Sequence, residues 1–310
     1  MRFENQQESS NIEDRRGGGS GGGKRGLGGL KLPKGKGGLG LIGLLVVAAV
    51  GYFSGGLGGA ISAVAGGGGG GLLGVSPSVS SESETPVRST PEEEQLKSFV
   101  GKVPATTETC WQDLFPTHYR TKYDEPNLVL FRDGVRSACG QAASSMGPFY
   151  CPGDNKVYID LSFLDQMERS LGAGGDFAQA YVVAHEVGHH IQNLLGMSRK
   201  VQAQRTRLPE AEYNKLSVCL ELQADYYAGC WAHYVQNNLR SKARIEMGDY
   251  EEAIGAAHAV GDDTLQKRAT GRIVPEKFTH GTAKQRAKWF RLGYQSGDPT
   301  EHDPFRDERR

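Results

Sequence analysis

The chain has 310 residues, with 36 basic and 36 acidic side chains and a formal net charge of zero. The absence of net positive charge argues against a nucleic-acid-binding protein. Glycine is unevenly spread, because 26 of the 44 glycines lie between Gly17 and Gly74. Such a stretch has too few side chains to build a packed core. Folding is therefore expected from about Pro91 onward, over roughly 200 residues, which is enough for one enzyme domain.

The N-terminal part of the chain divides by composition into a polar segment and an apolar one. Residues 1–36 are rich in glycine and carry eight basic and four acidic side chains, which predicts a disordered segment. Residues 37–60 are predicted to form a transmembrane helix, because no charged residue occurs from Gly37 to Ser81 and a membrane helix needs about 20 apolar residues. A cleaved signal peptide is the alternative, but the leader is long and no A-x-A site follows directly.

Charge asymmetry predicts how the candidate membrane helix is oriented. Its N-terminal flank is basic, whereas the other side begins with the acidic residues Glu82, Glu84, Glu92, Glu93 and Glu94. The positive-inside rule then places the N-terminus in the cytoplasm and the remainder outside it. Residues 61–95, rich in glycine and serine, are predicted to be a flexible tether.

Residues 96–297 are predicted to form an α+β domain, followed by a charged, loose tail at 298–310. Asn127–Phe131 is a candidate strand, and two β-rich runs around a Gly-Asp-Asn turn predict a hairpin over residues 149–160. Strands before the central motif and helices after it indicate the α+β class. Helices are predicted at 94–103, from Cys110, from Asp160 or Ser162 to Ser170, from Asp176, and at 213–238, 250–258 and 282–294.

The most informative motif is H-E-x-x-H, at residues 185–189 within the apolar run YVVAHEVGHHI. On a helix, residues four apart share one face, so His185 and His189 can bind one zinc ion while Glu186 acts as general base on its water. His190 lies about 100° round the helix from His189, which favours a packing role. Gly188 costs about 1 kcal/mol inside a helix, so it predicts close approach of a neighbouring element.

A catalytic zinc ion commonly has three protein ligands, so the motif needs one more. The candidate is Glu221, in the sequence LELQAD on the next long helix. Asp225 lies one turn further on the same face, where it could accept the free ring N–H of a zinc-binding histidine. The alternative is a solvated acidic face, but the surrounding residues are apolar on all sides, and buried acids usually pair or bind metal.

Two further features bear on substrate binding. An oxyanion donor could come from His280, His258 or Tyr226, and for each a structural or surface role is the alternative. The hairpin at 149–160 could offer an edge strand to an extended peptide.

The five cysteines contain no C-x-x-C pair, which argues against a structural zinc knuckle. If disulfides form, Cys219 and Cys230 cannot pair with each other along one helix, because about 16 Å separates them. A bridge would then join one of them to Cys110, Cys139 or Cys151. The alternative is that all five are small buried residues.

Several segments together resemble the putative neutral zinc metallopeptidases of bacterial membranes. They are ESSNIEDRRG from Glu8, GPFYCPGDNKVYIDLSF, HEVGHHIQ, ELQADYYAG and FTHGTAKQRAKWFRLGY. The resemblance implies a zincin-like fold of the gluzincin type, one membrane span and an extracytoplasmic domain, periplasmic or outside the cell. It also implies zinc ligands at His185, His189 and Glu221, a base at Glu186, and Asp225 as a supporting residue.

The sequence thus predicts a membrane-anchored zinc metallopeptidase that cleaves peptide or protein substrates. The alternative is a zincin-derived scaffold or binding module that holds zinc without cleaving anything, although such a module would not need Glu186. Nothing in the sequence indicates an oligomeric state or a nucleic-acid partner.

Overall fold

The computed structural model describes residues 1–17, 89–143 and 147–307. The predicted membrane helix at 37–60 lies outside these residues, as do 18–36, most of the predicted tether and the last three residues. Within the described ranges, no helix is both long enough and apolar enough to cross a membrane.

The described residues form a mixed α+β structure in which most strands precede the helix Asp176–Leu194 that carries the H-E-x-x-H motif, as predicted. The strands are β1 (Arg2–Phe3), β2 (Ile12–Asp14), β3 (Asn127–Phe131), β4 (Gly134–Ser137), β5 (Gly140–Ala143), β6 (Phe149–Cys151), β7 (Lys156–Asp160) and β8 (Ala243–Arg244). The helices are α1 (Pro91–Tyr119), α2 (Leu161–Leu171), α3 (Asp176–Leu194), α4 (Met197–Gln202), α5 (Glu210–Asn237), α6 (Asp249–Ala259), α7 (Asp262–Thr270), α8 (Ala283–Ser296) and α9 (Pro304–Asp307).

The main sheet has the strand order β2-β3-β7-β6. Strands β2, β3 and β7 run parallel, whereas β6 is antiparallel to β7. The predicted hairpin is confirmed, with Phe149 opposite Tyr158 and Asn155 in the turn at φ 57°. The central strands β3 and β7 are almost wholly buried, which explains their continuous apolar runs.

Helices α3, α5 and α8 pack closely, and glycines allow the contacts. A Cβ on Gly188 of α3 would lie 2.9 Å from the backbone of Ala224 in α5, so the predicted close approach is confirmed. A Cβ on Gly293 of α8 would lie 2.0 Å from the Tyr226 carbonyl oxygen of α5. These side-chain-free positions let α5 lie between α3 and α8 at short range.

The prediction that residues 1–36 are disordered is wrong for residues 1–17. Strand β2 pairs with β3 over Ile12–Asp14, and β1 pairs with β8. Met1 is buried, and its backbone nitrogen lies 2.6 Å from Asp176 Oδ1 at the start of α3. The polar composition was misleading because these strands are short and bind mainly through backbone and charged groups.

The start of the domain also differs from the prediction. Helix α1 is continuous from Pro91 to Tyr119, although two separate helices were expected and Pro104 and Pro116 lie inside it. The Thr90 side chain accepts a hydrogen bond from the Glu93 backbone N–H and so caps the helix. The predicted tether boundary at residue 95 is therefore wrong, since the folded part begins before Pro91.

The predicted loose tail is also partly wrong. The hydroxyl of Tyr226 donates to the Asp298 carbonyl at 2.5 Å, and Pro304 is buried at the start of α9. Residues 298–307 thus pack against α5, and only the last three residues lie outside the described structure.

The disulfide pairing of the cysteines differs from the sequence prediction. Cys139 and Cys151 form a disulfide, with Cα atoms 5.8 Å apart. Cys110, Cys219 and Cys230 are buried thiols. Cys219 and Cys230 are not bridged to each other, as argued from their spacing, but the expected bridge from one of them to an earlier element is wrong.

Candidate metal centre

Helix α3 carries the H-E-x-x-H residues through the middle of the protein. Apolar side chains surround it, including the buried Phe177, Val187 and Ile191, as expected for a helix that is hydrophobic on all sides. His185 is 6% exposed and Glu186 is 8% exposed. The motif therefore lies in a low-dielectric environment where polar groups need partners.

The three predicted ligands lie together. His185 Nε2 is 3.2 Å from Glu221 Oε2, and His189 Nε2 is 3.4 Å from Glu221 Oε1. One ligand atom from each of the three lies within 4.8 Å of the others. In a tetrahedral zinc site with bonds of about 2.0–2.2 Å, neighbouring ligand atoms lie about 3.3 Å apart. The donor set and its spacing therefore fit a zinc ion.

Asp225 fixes the orientation of His185. Its Oδ1 lies 2.8 Å from His185 Nδ1, and since a carboxylate accepts, the proton belongs on Nδ1. With Nδ1 held as the donor to Asp225, Nε2 is the ring nitrogen left to bind zinc, on the side that faces Glu221. The Tyr181 hydroxyl also donates to Asp225 Oδ1, at 2.5 Å.

His189 is held by a residue that the sequence reasoning did not identify. Its Nδ1 lies 3.0 Å from Gln192 Oε1. The Gln192 side chain is fully buried, and its Nε2 donates to the Leu220 carbonyl at 2.6 Å. Gln192 thus ties His189 to α5 one residue before Glu221. Its position three residues after His189 on the same helical face is the signal that could have found it.

Arg286 on α8 is the second residue that was missed. Its Nε donates to Asp225 Oδ2 at 2.8 Å and its Nη2 donates to Asp225 Oδ1 at 3.0 Å, which is a two-point contact. Nη2 also lies 3.3 Å from both ring nitrogens of His185 and 4.0 Å from Glu221 Oε2. An arginine in an amphipathic helix usually faces water. The only signal for a role at the site was that Arg286 lies in the FTHGTAKQRAKWF segment, which is part of the family resemblance.

The buried charges change the acidity of the site residues. Burial raises the pKa of Glu186, although the nearby His189 and His185 oppose this. Burial would also raise the pKa of Glu221, but His189, His280 and His185 together lower it strongly. For His185, burial lowers the pKa, yet Asp225 and Glu221 outweigh it and bring the pKa to about 9. The pocket therefore attracts positive charge, as a metal site should.

His280 is the one predicted oxyanion donor that lies near the centre. Its backbone N–H donates to Asp262 Oδ2 at 2.6 Å, and its Nδ1 lies 3.1 Å from Asp262 Oδ1. Burial lowers the pKa of His280, but the charges of Asp262 and Glu221 raise it overall. Asp262 also accepts from the Thr279 and Gly281 backbone N–H groups, so it fixes the whole loop.

The other candidates lie elsewhere. The Tyr226 hydroxyl binds the 298–307 segment, and His258 is exposed at the end of α6. His190 has the predicted packing role, since its Nε2 donates to the Asp124 carbonyl at 2.6 Å and its Nδ1 lies 3.1 Å from the Tyr150 hydroxyl. Tyr150 belongs to β6, which is an edge strand of the main sheet among the residues that the structure describes.

The sequence is similar to a protein-family model and to known bacterial proteins over about two thirds to nearly all of its length. A family model described as "Putative neutral zinc metallopeptidase" matches residues 1–305. The uncharacterized protein YpfJ of Escherichia coli (strain K12) is 46% identical over 305 residues, covering 98% of this chain and 99% of YpfJ. The uncharacterized protein Rv2575 of Mycobacterium tuberculosis (strain ATCC 25618 / H37Rv) is 42% identical over 207 residues, covering 64% of this chain and 67% of Rv2575. No solved structure matches the chain.

Proposed function

Because the chain belongs to the family of putative neutral zinc metallopeptidases, we propose that it is a zinc-dependent peptidase with Glu186 as general base. The observation that carries this proposal is the spacing of the donor atoms. Two histidine Nε2 atoms lie 3.2 Å and 3.4 Å from the two oxygens of Glu221, and both histidine Nδ1 atoms already have partners. The ligands are thus oriented before any metal arrives.

Each residue has a role in the proposed reaction. Zinc held by His185, His189 and Glu221 would polarise the scissile carbonyl and acidify water. Glu186, buried beside both histidines, would take a proton from the attacking water and pass it to the leaving amine. The His280 imidazole, held at Nδ1 by Asp262, would donate to the oxyanion.

We also propose that the fold is a zincin-like domain of the gluzincin type. A sheet beside the H-E-x-x-H helix, and a second helix that supplies the acidic ligand, support a zincin-like domain of the gluzincin type. Strand β6 at the sheet edge, tied to α3 through Tyr150 and His190, would bind an extended peptide by strand addition.

The proposed location is the bacterial membrane, with the domain periplasmic or extracellular. The charge-free run from Gly37 to Ser81 supports membrane association. The Cys139–Cys151 disulfide supports an oxidising compartment, because such bonds are rare in the cytosol.

The test is Glu186→Gln, with Glu251→Gln on the exposed face of α6 as the matched control. We expect the Glu186 variant to bind one zinc ion per chain and to lose at least about 100-fold in kcat, since general-base catalysis contributes 10²–10⁴-fold. Metal analysis and digestion of a mixed peptide library, with and without chelator, measure both quantities. Undiminished cleavage by the Glu186 variant would refute its role. Zinc binding without cleavage by the unmodified protein would favour the scaffold.

A further inference from the structure

The N-terminal segment is docked on the domain through specific polar contacts. The Ser9 backbone N–H donates to the Gly101 carbonyl of α1 at 3.0 Å, and its hydroxyl donates to Glu108 at 2.5 Å. The Asn11 side chain donates to Glu125 at 2.6 Å. The Asn11 backbone carbonyl accepts from the Leu128 backbone N–H at 2.8 Å. Ser9 is only 9% exposed. Residues 9–14 are therefore built into the fold.

A charged cluster lies where this segment ends. The guanidinium of Arg16 is 2% exposed, and it contacts Asp14 at 2.7 Å, Glu93 at 3.3 Å and Glu94 at 2.9 Å. Arg132, which follows β3, also donates to Glu93 at 2.7 Å. One buried arginine thus joins the last described residues of the N-terminal segment to the first turn of α1.

This cluster constrains how the intervening chain can be arranged in a membrane. The chain leaves the described structure after Gly17 and returns at Ser89. Arg16 and Glu93 are 77 positions apart in the sequence but are in direct contact. If the intervening residues crossed a bilayer once, residues 1–17 and residues 89–307 would lie on opposite sides. A sheet that contains both β2 and β3 cannot form across a bilayer.

On the basis of the proposed membrane association, we infer that residues 1–17 and residues 89–307, here called the zinc domain, lie on the same side of that membrane. This arrangement replaces the single crossing expected from charge asymmetry.

The cysteine content of the chain permits a direct test. The native thiols Cys110, Cys219 and Cys230 are buried, and Cys139 and Cys151 are bridged. A cysteine placed at an exposed position therefore reports alone. Gln7 is exposed in the N-terminal segment, and Leu239 is 94% exposed in the zinc domain. The variants are Gln7→Cys and Leu239→Cys in the full-length chain, treated with a membrane-impermeant maleimide before and after the cells are permeabilised.

We expect the ratio of labelling before and after permeabilisation to agree within about twofold for the two positions. With the domain outside the cytoplasm, both label in intact cells. If both label only after permeabilisation, the shared side is supported but the proposed exterior location is wrong. Labelling of one position in intact cells and of the other only after permeabilisation overturns the inference.

A second measurement guards against a segment that undocks in the cell. Asn11→Cys combined with Glu125→Cys places two thiols at the docking contact, and a short bifunctional maleimide added to intact membranes should link them. The single variants are the controls. Failure to link in membranes, when the purified protein does link, would also overturn the inference.

Discussion

Arg286 on α8 binds Asp225 on α5, the carboxylate that holds the metal-binding candidate His185. Asp225 is fully buried, and burial alone would raise its pKa, but Arg286 and His185 lower the pKa and keep the carboxylate charged. A charged Asp225 can then hold His185 by its Nδ1–H. Arg286 is thus a positioning residue for His185, which it orients through Asp225.

We predict that Arg286→Met lowers zinc affinity by about 10–100-fold, the usual cost of removing a supporting contact behind a ligand. It should also reduce the free energy of unfolding by about 3–5 kcal/mol, because the buried Asp225 carboxylate loses the arginine that makes a two-point contact with it. Competitive metal titration and urea denaturation measure the two effects.

A double variant separates the orientation of His185 from the cost of burying the Asp225 charge. Arg286→Met combined with Asp225→Leu should recover part of the stability, but not the zinc affinity, since the His185 contact is lost as well. A double variant that regains full zinc affinity would rule out the positioning role.

We predict that His280→Ala lowers kcat by about 10²–10³-fold, as expected for loss of an oxyanion donor, while zinc content and KM change little. Asp262→Asn should cause a smaller loss in kcat, because the imidazole remains but is less well held. His258→Ala, on an exposed surface, is the control. An equal loss of zinc and activity in the His280 variant would show that it supports the metal site instead.

At the scale of elements, glycines decide how closely the helices approach. Gly188 and Ala224 meet where α3 crosses α5, and that contact brings Glu221 within reach of both histidines. By contrast, a Cβ on Gly255 in α6 would contact nothing within 4 Å. Replacement of glycine by alanine should therefore change the free energy of unfolding in opposite directions at Gly188 and Gly255.

We predict that Gly188→Ala destabilises the protein by about 1–3 kcal/mol, since the added methyl group overpacks a backbone contact. Gly255→Ala should stabilise it by about 1 kcal/mol through helix propensity alone. Thermal or urea denaturation of both variants measures the difference. A stabilising Gly188 variant would show that α3 and α5 separate easily, and the fixed ligand geometry would then be in doubt.

Local signals predicted most of the elements, and the ligand pattern of the motif also predicted that Glu221 and Asp225 approach the histidines. Long-range contacts that no motif specifies were not predicted. The H-E-x-x-H spacing, the Gly-Asp-Asn turn and the close approach at Gly188 follow from residues near each other in sequence. Gln192 could have been found from its place on the same helix. The partners Asp225–Arg286 and His280–Asp262 span 61 and 18 positions, and no periodicity connects them.

At the scale of the whole molecule, the N-terminal segment contributes the edge strand β2 to the main sheet and was expected to be disordered. Its composition is polar because it docks through hydrogen bonds and ion pairs around Arg16, whereas only Ile12 contributes an apolar side chain to β2. Composition detects apolar burial and is blind to such docking. The match of the family model from residue 1 onward agrees with a segment that belongs to the domain.

The same charges make the docking sensitive to acid. Burial raises the pKa of Asp14, but hydrogen bonds from Arg16 outweigh it and lower the pKa overall. Burial likewise raises the pKa of Glu13, and Lys156 and Arg15 lower it overall. A carboxylate with a depressed pKa stabilises the docked state above its unfolded pKa of about 4, and that contribution is lost as the pH falls through its folded value.

We therefore predict that residues 9–16 undock before the domain unfolds as the pH is lowered below about 4. Hydrogen exchange, corrected for the intrinsic rate at each pH, should show loss of protection at the Leu128 and Arg15 amides, which bond across β2 and β3. The Ile159 amide in β7 is the internal control. Arg16→Met should show low protection at Leu128 already at pH 7, with little further change in acid. Equal loss of protection at Leu128 and Ile159 would mean that the sheet opens as one unit and that Arg16 does not control the docking.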